Sequence, residues 1–197
     1  MPSIKLRKEY ERTAVWDAGT EARFLTVAAQ PCKDVFLICQ DSGMRPEEVT
    51  RLRWDDILWG KCLIFVPRGK TRNSTRYVPL SSRVRDLLRG RADGAGSEFV
   101  FPSKRSKHGH ITLSAIEKPF RKARKDAGLP DQLVLYSARH SFAADLLDRT
   151  GNIKLVADVL GHGSTAITGK YLHPALKQVA QIVNQRNEAW STCAGKA

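Results

Sequence analysis

The chain has 197 residues, 42% hydrophobic and 27% charged, which suits one globular domain with a sizeable core. Lys and Arg number 33 against 20 Asp and Glu, and the resulting +13 points to a polyanion partner, because neutralised phosphates release counterions. No apolar run is long enough for a membrane span and no apolar N-terminal segment marks secretion, so a cytoplasmic protein is expected.

Residues 1 to 19 read as an extended, polar lead-in. A first helix is expected from a cap at Thr20, with Phe24, Leu25 and Ala28 on one face. A second, "DVFLICQDSG", starts at Asp34 and stops at Gly43, which suits a left-handed C-terminal cap. Pro46 fits the first turn of a third helix running to Leu52, which places Arg45 at its N-terminus. From 57 to 80 the period changes: "ILWG", "KCLIFVP" and "RYVPL" are short β-branched and aromatic runs. They predict a small antiparallel sheet whose last two strands are joined by the basic loop "RGKTRNST", which holds Lys70. Helices then return at roughly 82–90, 114–127, 137–149, 153–160, 165–172 and 175–190, followed by a flexible tail over 191–197. In the 153–160 helix, Ile153, Val156, Ala157 and Leu160 make a core-facing stripe, and Gly161 ends it. The fold class expected is α+β, mainly helical, with one three-stranded antiparallel sheet. Cys32, Cys39, Cys62 and Cys193 make no CxxC pair, and the first three sit in apolar runs, so they read as reduced core thiols.

Polar residues at the ends of these elements are able to converge. Arg45 and Arg139 each fall at or within the first turn of an expected helix, where free N–H groups and the helix dipole favour an anion. Lys70 sits in the hairpin, Tyr136 just before the helix of Arg139, and His162 just after a helix stop. With Tyr171 added and no carboxylate pair, the set suits a phosphodiester better than a metal, since the planar guanidinium matches two phosphate oxygens at once. Taken alone, Tyr171 reads as a packing or surface residue before it reads as a reactive one. His108 and His110 in "KHGHI" have no companion carboxylate or thiol cluster, so no metal site is expected.

Four segments, "DSGMRPEEVTRLRWDDI", "PRGKTRNSTRYVPL", "YSARHSFAADLL" and "VLGHGSTAITGKYLH", resemble the ordered motif boxes of the tyrosine recombinase (phage integrase) family. The resemblance covers residues 20 to 190, the extent of that family's catalytic domain. It implies that Tyr171 is the nucleophile of a site-specific DNA recombinase and forms a 3′-phosphotyrosyl link. Arg45 and Arg139 would clamp the scissile phosphate, Lys70 would protonate the leaving 5′ oxygen, and His162 would donate a further hydrogen bond. Neither metal, ATP nor another cofactor is then required. Double-stranded DNA is the implied partner, bound by four protomers in the synapse, with a monomer expected in the absence of DNA. The N-terminal domain that usually closes the family's clamp is absent from these residues, so an isolated catalytic domain is expected. The stripe Leu176, Val179, Ala180 and Val183 would dock on a neighbouring protomer.

Tyr136 departs from the pattern, because many relatives place histidine three residues before the second arginine. A phenol donates the same hydrogen bond but, with a pKa of about 10, is a poor proton acceptor at neutral pH. Tyr136 is therefore read as a donor, the alternative being a residue that only packs. Glu48 lies three residues after Arg45 and is placed to hold its guanidinium, unless it is a solvated carboxylate. His140 resembles a family histidine that supports the site from behind, or it is a buried, hydrogen-bonded histidine. Three rivals remain open: a type IB topoisomerase-like nicking and closing enzyme, a DNA-binding fragment without chemistry, and a generic basic scaffold.

Overall fold

A computed structural model describes residues 14–67, 75–93 and 96–162 of the chain. In order it forms α1 (Ala18–Val27), α2 (Cys32–Ser42), α3 (Pro46–Thr50), β1 (Ile57–Leu58), β2 (Leu63–Val66) and β3 (Arg76–Pro79). Helices α4 (Ser82–Ala92), α5 (Leu113–Asp126), α6 (Leu135–Thr150) and α7 (Ile153–Leu160) follow. The fold is mainly helical with one three-stranded antiparallel sheet in the order β1-β2-β3, as the sequence led us to expect.

Helix α2 is the axis of the core. Its sequence is apolar on nearly every side, and Cys32, Val35, Phe36, Leu37, Ile38 and Cys39 are all buried. It packs against α3, α4, α5 and α6 in turn. An aromatic cluster joins it to the start of the chain and to α5: Trp16–Phe36, Phe24–Phe36 and Phe24–Phe120 have ring centroids 4.6, 4.7 and 4.9 Å apart. Trp16 is 5% exposed, and its backbone N–H donates to Ser141 Oγ on α6 at 2.7 Å, so the end of the supposed polar lead-in is part of the core. The first helix is capped by Asp17 rather than Thr20. Thr20 sits at the third helical position and returns the bond to the Asp17 N–H, a reciprocal box that moves the start to Ala18.

Three further features differ from expectation. Helix α3 ends at Thr50 because Leu52 is already pairing as extended chain, its carbonyl accepting from the Val100 N–H at 2.9 Å. Helix α6 begins at Leu135, which puts Tyr136 inside its first turn and Arg139 in its second. Cys62 lies exposed at the β1–β2 turn with φ 51°, so the reading as core thiols holds for Cys32 and Cys39 but not for Cys62. The expected helices over 165–172 and 175–190 lie outside the described residues, as do Lys70, Tyr171 and Cys193.

The sheet pairs Ile57 with Ile64, Phe65 with Tyr77, and Val66 with Arg76. Ile57, Ile64, Val66 and Val78 face the core while Tyr77 points out, and the alternation places Arg76 on the inward face. Among the described residues no helix is long and apolar enough to cross a membrane.

Gly43 is the joint between α2 and α3. It caps α2 with φ 66°, and a Cβ there would stand 2.4 Å from the Phe142 ring. Gly43→Ala is therefore expected to destabilise the fold by about 1–2 kcal/mol from left-handed strain, and by about 1–3 kcal/mol more from overpacking. A lowered urea midpoint at an unchanged slope would bear this out; an unchanged midpoint would contradict it.

Candidate active site

The site forms where three helix ends meet. Helix α2 stops at Gly43, and buried Met44 leads into Arg45, the residue that caps α3 with extended backbone. From α6, Arg139 reaches back between that joint and the end of α7. Its residue is 1% exposed, the largest fully buried side chain among the described residues. Nη1 donates to the Gly43 carbonyl and Nη2 to the Leu160 carbonyl, both at 2.7 Å, and Nη2 also donates to His162 Nε2 at 3.2 Å.

A cation buried this way needs compensation. Gly43 and Leu160 supply it from the C-terminal ends of α2 and α7, where carbonyls carry the negative end of the helix dipole. Burial, and next the Arg45 charge, lower the Arg139 pKa to about 10, which still leaves the group cationic at neutral pH. His162 follows the left-handed cap Gly161, with its backbone N–H on the Ala157 carbonyl at 2.9 Å. Burial, then the charges of Arg139, Arg45 and Arg76, push the imidazole down to about 4. The ring is therefore neutral at pH 7. Because a guanidinium only donates, Nε2 accepts and Nδ1 carries the proton. That tautomer can present a hydrogen-bond donor, the role the sequence suggested.

Glu48 is the carboxylate of the site. Its Oε2 accepts from the Arg45 backbone N–H at 2.7 Å and its Oε1 from Arg45 Nη1 at 2.9 Å. It also accepts both terminal nitrogens of Arg76, at 3.0 and 2.8 Å. Burial alone would raise its pKa, but Arg76 and the Arg45 contacts outweigh that and hold it near 2. The ion-pair reading of Glu48 is thus the one observed, and the solvated alternative is not. Arg45 and Arg76 pair with this one carboxylate while Arg139 lies close by, and after burial the neighbouring positive charges lower Arg139 and His162 further. Such a field favours an incoming anion. The Arg45 side chain, 33% exposed, opens it to solvent.

Tyr136 and His140 stand one turn apart on α6, with rings edge to face at 4.9 Å, both half-buried. Tyr136 also lines a cavity of about 360 Å³ with Pro46, Glu47, Phe120, Arg121 and Arg124. Arg45, Glu48, Arg139 and His162 are thus brought together, Tyr136 and His140 share the neighbouring helix, and Lys70 and Tyr171 fall outside the described residues. The residue that sequence reasoning missed is Arg76. Its signal was a charge on the inward face of a strand, in step with Val78. His108 and His110 stack at 5.8 Å, and no group of three or more metal-ligating side chains occurs among the described residues.

The profile of the Phage integrase family matches residues 21–178, most of the chain. The chain belongs to the phage integrase family. A tyrosine recombinase of Pseudothermotoga lettingae is 27% identical over 146 residues, covering 73% of this chain and 49% of that protein. A putative integrase/recombinase, y4qK of Sinorhizobium fredii, is 31% identical over 146 residues, covering 74% and 47%. The chain thus spans about half the length of these relatives. The crystal structure of XerA recombinase superposes with a TM-score of 0.72 at 22% identity, over 92% of this chain and 66% of that one. The integrase of the Tn1549 transposon, solved with a circular intermediate DNA, gives 0.74 at 17% identity, over 90% and 68%. These likenesses show that the chain has the fold of those structures.

The titration of this site contributes to the acid stability of the fold. Folding lowers His162 from 6.5 to about 4, so between those values the unfolded chain binds the proton first. The contribution is complete above about pH 6.5 and lost on falling to about 4. Glu48, lowered from 4.5 to about 2, acts in the same direction and is lost between those values. The melting temperature should fall on acidification from pH 7, and Glu48→Gln should flatten the fall below pH 4.5. A His162 ring resonance titrating with a midpoint near 6.5 would contradict the burial of the cation cluster.

Proposed function

We propose that this chain is the catalytic domain of a site-specific DNA recombinase that cuts and rejoins strands through a 3′-phosphotyrosyl intermediate. The observation that carries the proposal is the convergence of Arg45, Arg139 and His162 from three separate segments, with Arg139 bonded to His162 and Arg45 held by Glu48. Family membership and the likeness to DNA-bound integrases support it.

In this reading the Tyr171 oxygen attacks phosphorus, the new O–P bond replaces the bond to the 5′ oxygen, and Lys70 gives that oxygen its proton. The phosphodiester energy stays in the tyrosyl link, so rejoining by a 5′ hydroxyl needs no nucleotide. Arg45, being partly exposed, contacts the non-bridging oxygens directly, while Arg139 lies behind with three of its five N–H groups engaged. Nδ1 of His162 and the Tyr136 hydroxyl add neutral donors. Fixed cations in a partly dehydrated site do the work that a metal does elsewhere, stabilising charge that develops in the transition state. Double-stranded DNA is the substrate, a tetramer on DNA the working assembly, and the cytoplasm the compartment.

The test uses nicked duplexes with randomised flanks, from which those linked covalently to the wild-type chain are recovered and used as substrate. An adduct should form without added metal, and Tyr171→Phe should abolish it while leaving DNA binding almost unchanged. An adduct that persists in that variant would sink the assignment and turn attention to Tyr136 or Tyr77. Arg45→Ala and Arg139→Ala should each slow cleavage by roughly 10²–10³, the scale for losing one preorganised anion-stabilising group. Tyr136→Phe should lose less, and equal damage would overturn its donor role. Lys70→Ala should recover on a substrate whose leaving 5′ oxygen is replaced by sulphur, which needs no proton. Plasmid relaxation without strand exchange would favour the nicking and closing enzyme.

A further inference from the structure

Arg76 opens β3 and is paired with Val66 across the end of the hairpin, yet its side chain is 5% exposed. Its fork spans both oxygens of Glu48, at 3.0 and 2.8 Å, and its Nε donates to the Val159 carbonyl at 2.8 Å. Those two anchors belong to opposite halves of the anion site. Glu48 holds the Arg45 guanidinium and backbone, and Val159 directly precedes Leu160, whose carbonyl holds Arg139. The strand that supplies Arg76 would be complete without a charge there, since Val78 fills the same inward face and an apolar residue would continue it. A buried ion pair adds little stability over well-packed apolar residues, so the fold alone does not call for this arginine.

We propose that Arg76 is a positioning residue for the reaction: through Glu48 it fixes the Arg45 guanidinium, and through Val159 it fixes the end of α7 that carries His162. One side chain thereby sets the two halves of the anion site in register. The inference rests on the reading that this site handles a scissile phosphodiester. Arginine suits the task because its planar fork engages both carboxylate oxygens while Nε points elsewhere. A lysine concentrates its donors at one point and cannot bridge the same anchors. Arg76 does not touch the substrate in this account; it acts through Glu48 and the α7 backbone.

The experiment is single-turnover cleavage of the recovered nicked duplexes by the full chain, read as a rate constant and an amplitude, alongside DNA affinity. Arg76→Lys keeps the charge and should lower the rate constant by about 10- to 100-fold, the scale for losing an orienting partner, with amplitude and affinity unchanged. Arg76→Gln should slow the step further. The Arg76→Lys and Glu48→Gln double variant should be no more than about twofold slower than the slower single variant, because both remove the same support. Arg91→Lys is the control: Arg91 pairs with buried Asp34 at 2.7 Å, away from the site, and its replacement should leave the rate constant alone. Losses confined to amplitude, multiplicative effects in the double variant, or an equal slowing by Arg91→Lys would each overturn the inference and leave Arg76 a structural residue. A wild-type chain that forms no adduct sinks the recombinase reading and this inference with it. An active wild type matched by Arg76→Lys overturns this inference alone.

Discussion

The arrangement depends on how one buried cation is held. Among the described residues no carboxylate bonds the Arg139 guanidinium, which meets instead the terminal carbonyls of two helices, Gly43 of α2 and Leu160 of α7. A charge removed from water at that depth is tolerated only where its donors are matched. The two helices must therefore end at these points, and in left-handed caps that free the carbonyls. Gly43 and Gly161 are thus terminators and site components together. The close approach of Phe142 to Gly43 shows how little room the joint has.

Glu48 answers the complementary problem. Arg45 must present a guanidinium to solvent without losing its direction, and the carboxylate three residues on does this by taking both its backbone N–H and Nη1. One carboxylate cannot neutralise three guanidinium groups, however, and the remaining field adds to burial in lowering the pKa values of Arg139 and His162. Such an excess of positive charge favours a bound anion.

Much of this was legible in the sequence because it is local. Gly43 after an apolar run, Pro46 after Arg45, and the stripe from Val156 to Leu160 each announce a helix end or a buried face within a few residues. The sheet was legible from β-branched runs broken by turns. What escaped was set by long-range packing. The burial of Arg139 depends on carbonyls 96 and 21 residues away, and the bond from Arg76 to Glu48 spans 28 residues. Trp16 read as lead-in because its partners, Phe24, Phe36 and Phe120, lie on three different helices. Cys62 read as core because a turn with positive φ interrupts an otherwise apolar run.

The site's groups hang on two packed units. Arg45 and Arg139 belong to helices that pack on α2, and His162 follows α7, which packs on α6 and β3. A displacement of α7 would move the Leu160 carbonyl, His162 and the Val159 anchor of Arg76 together, since one short helix carries all three. A displacement of α3 would move Arg45 and Glu48 together. The two units share Arg139 on one side, through Gly43 and Leu160, and Arg76 on the other, through Glu48 and Val159. Two buried arginines thus flank the partly exposed Arg45. The positive charge that attracts a polyanion and the bonds that give the site its shape are supplied by the same residue type. Substituting either buried arginine therefore changes field and geometry at once, whereas the conservative change to lysine separates them.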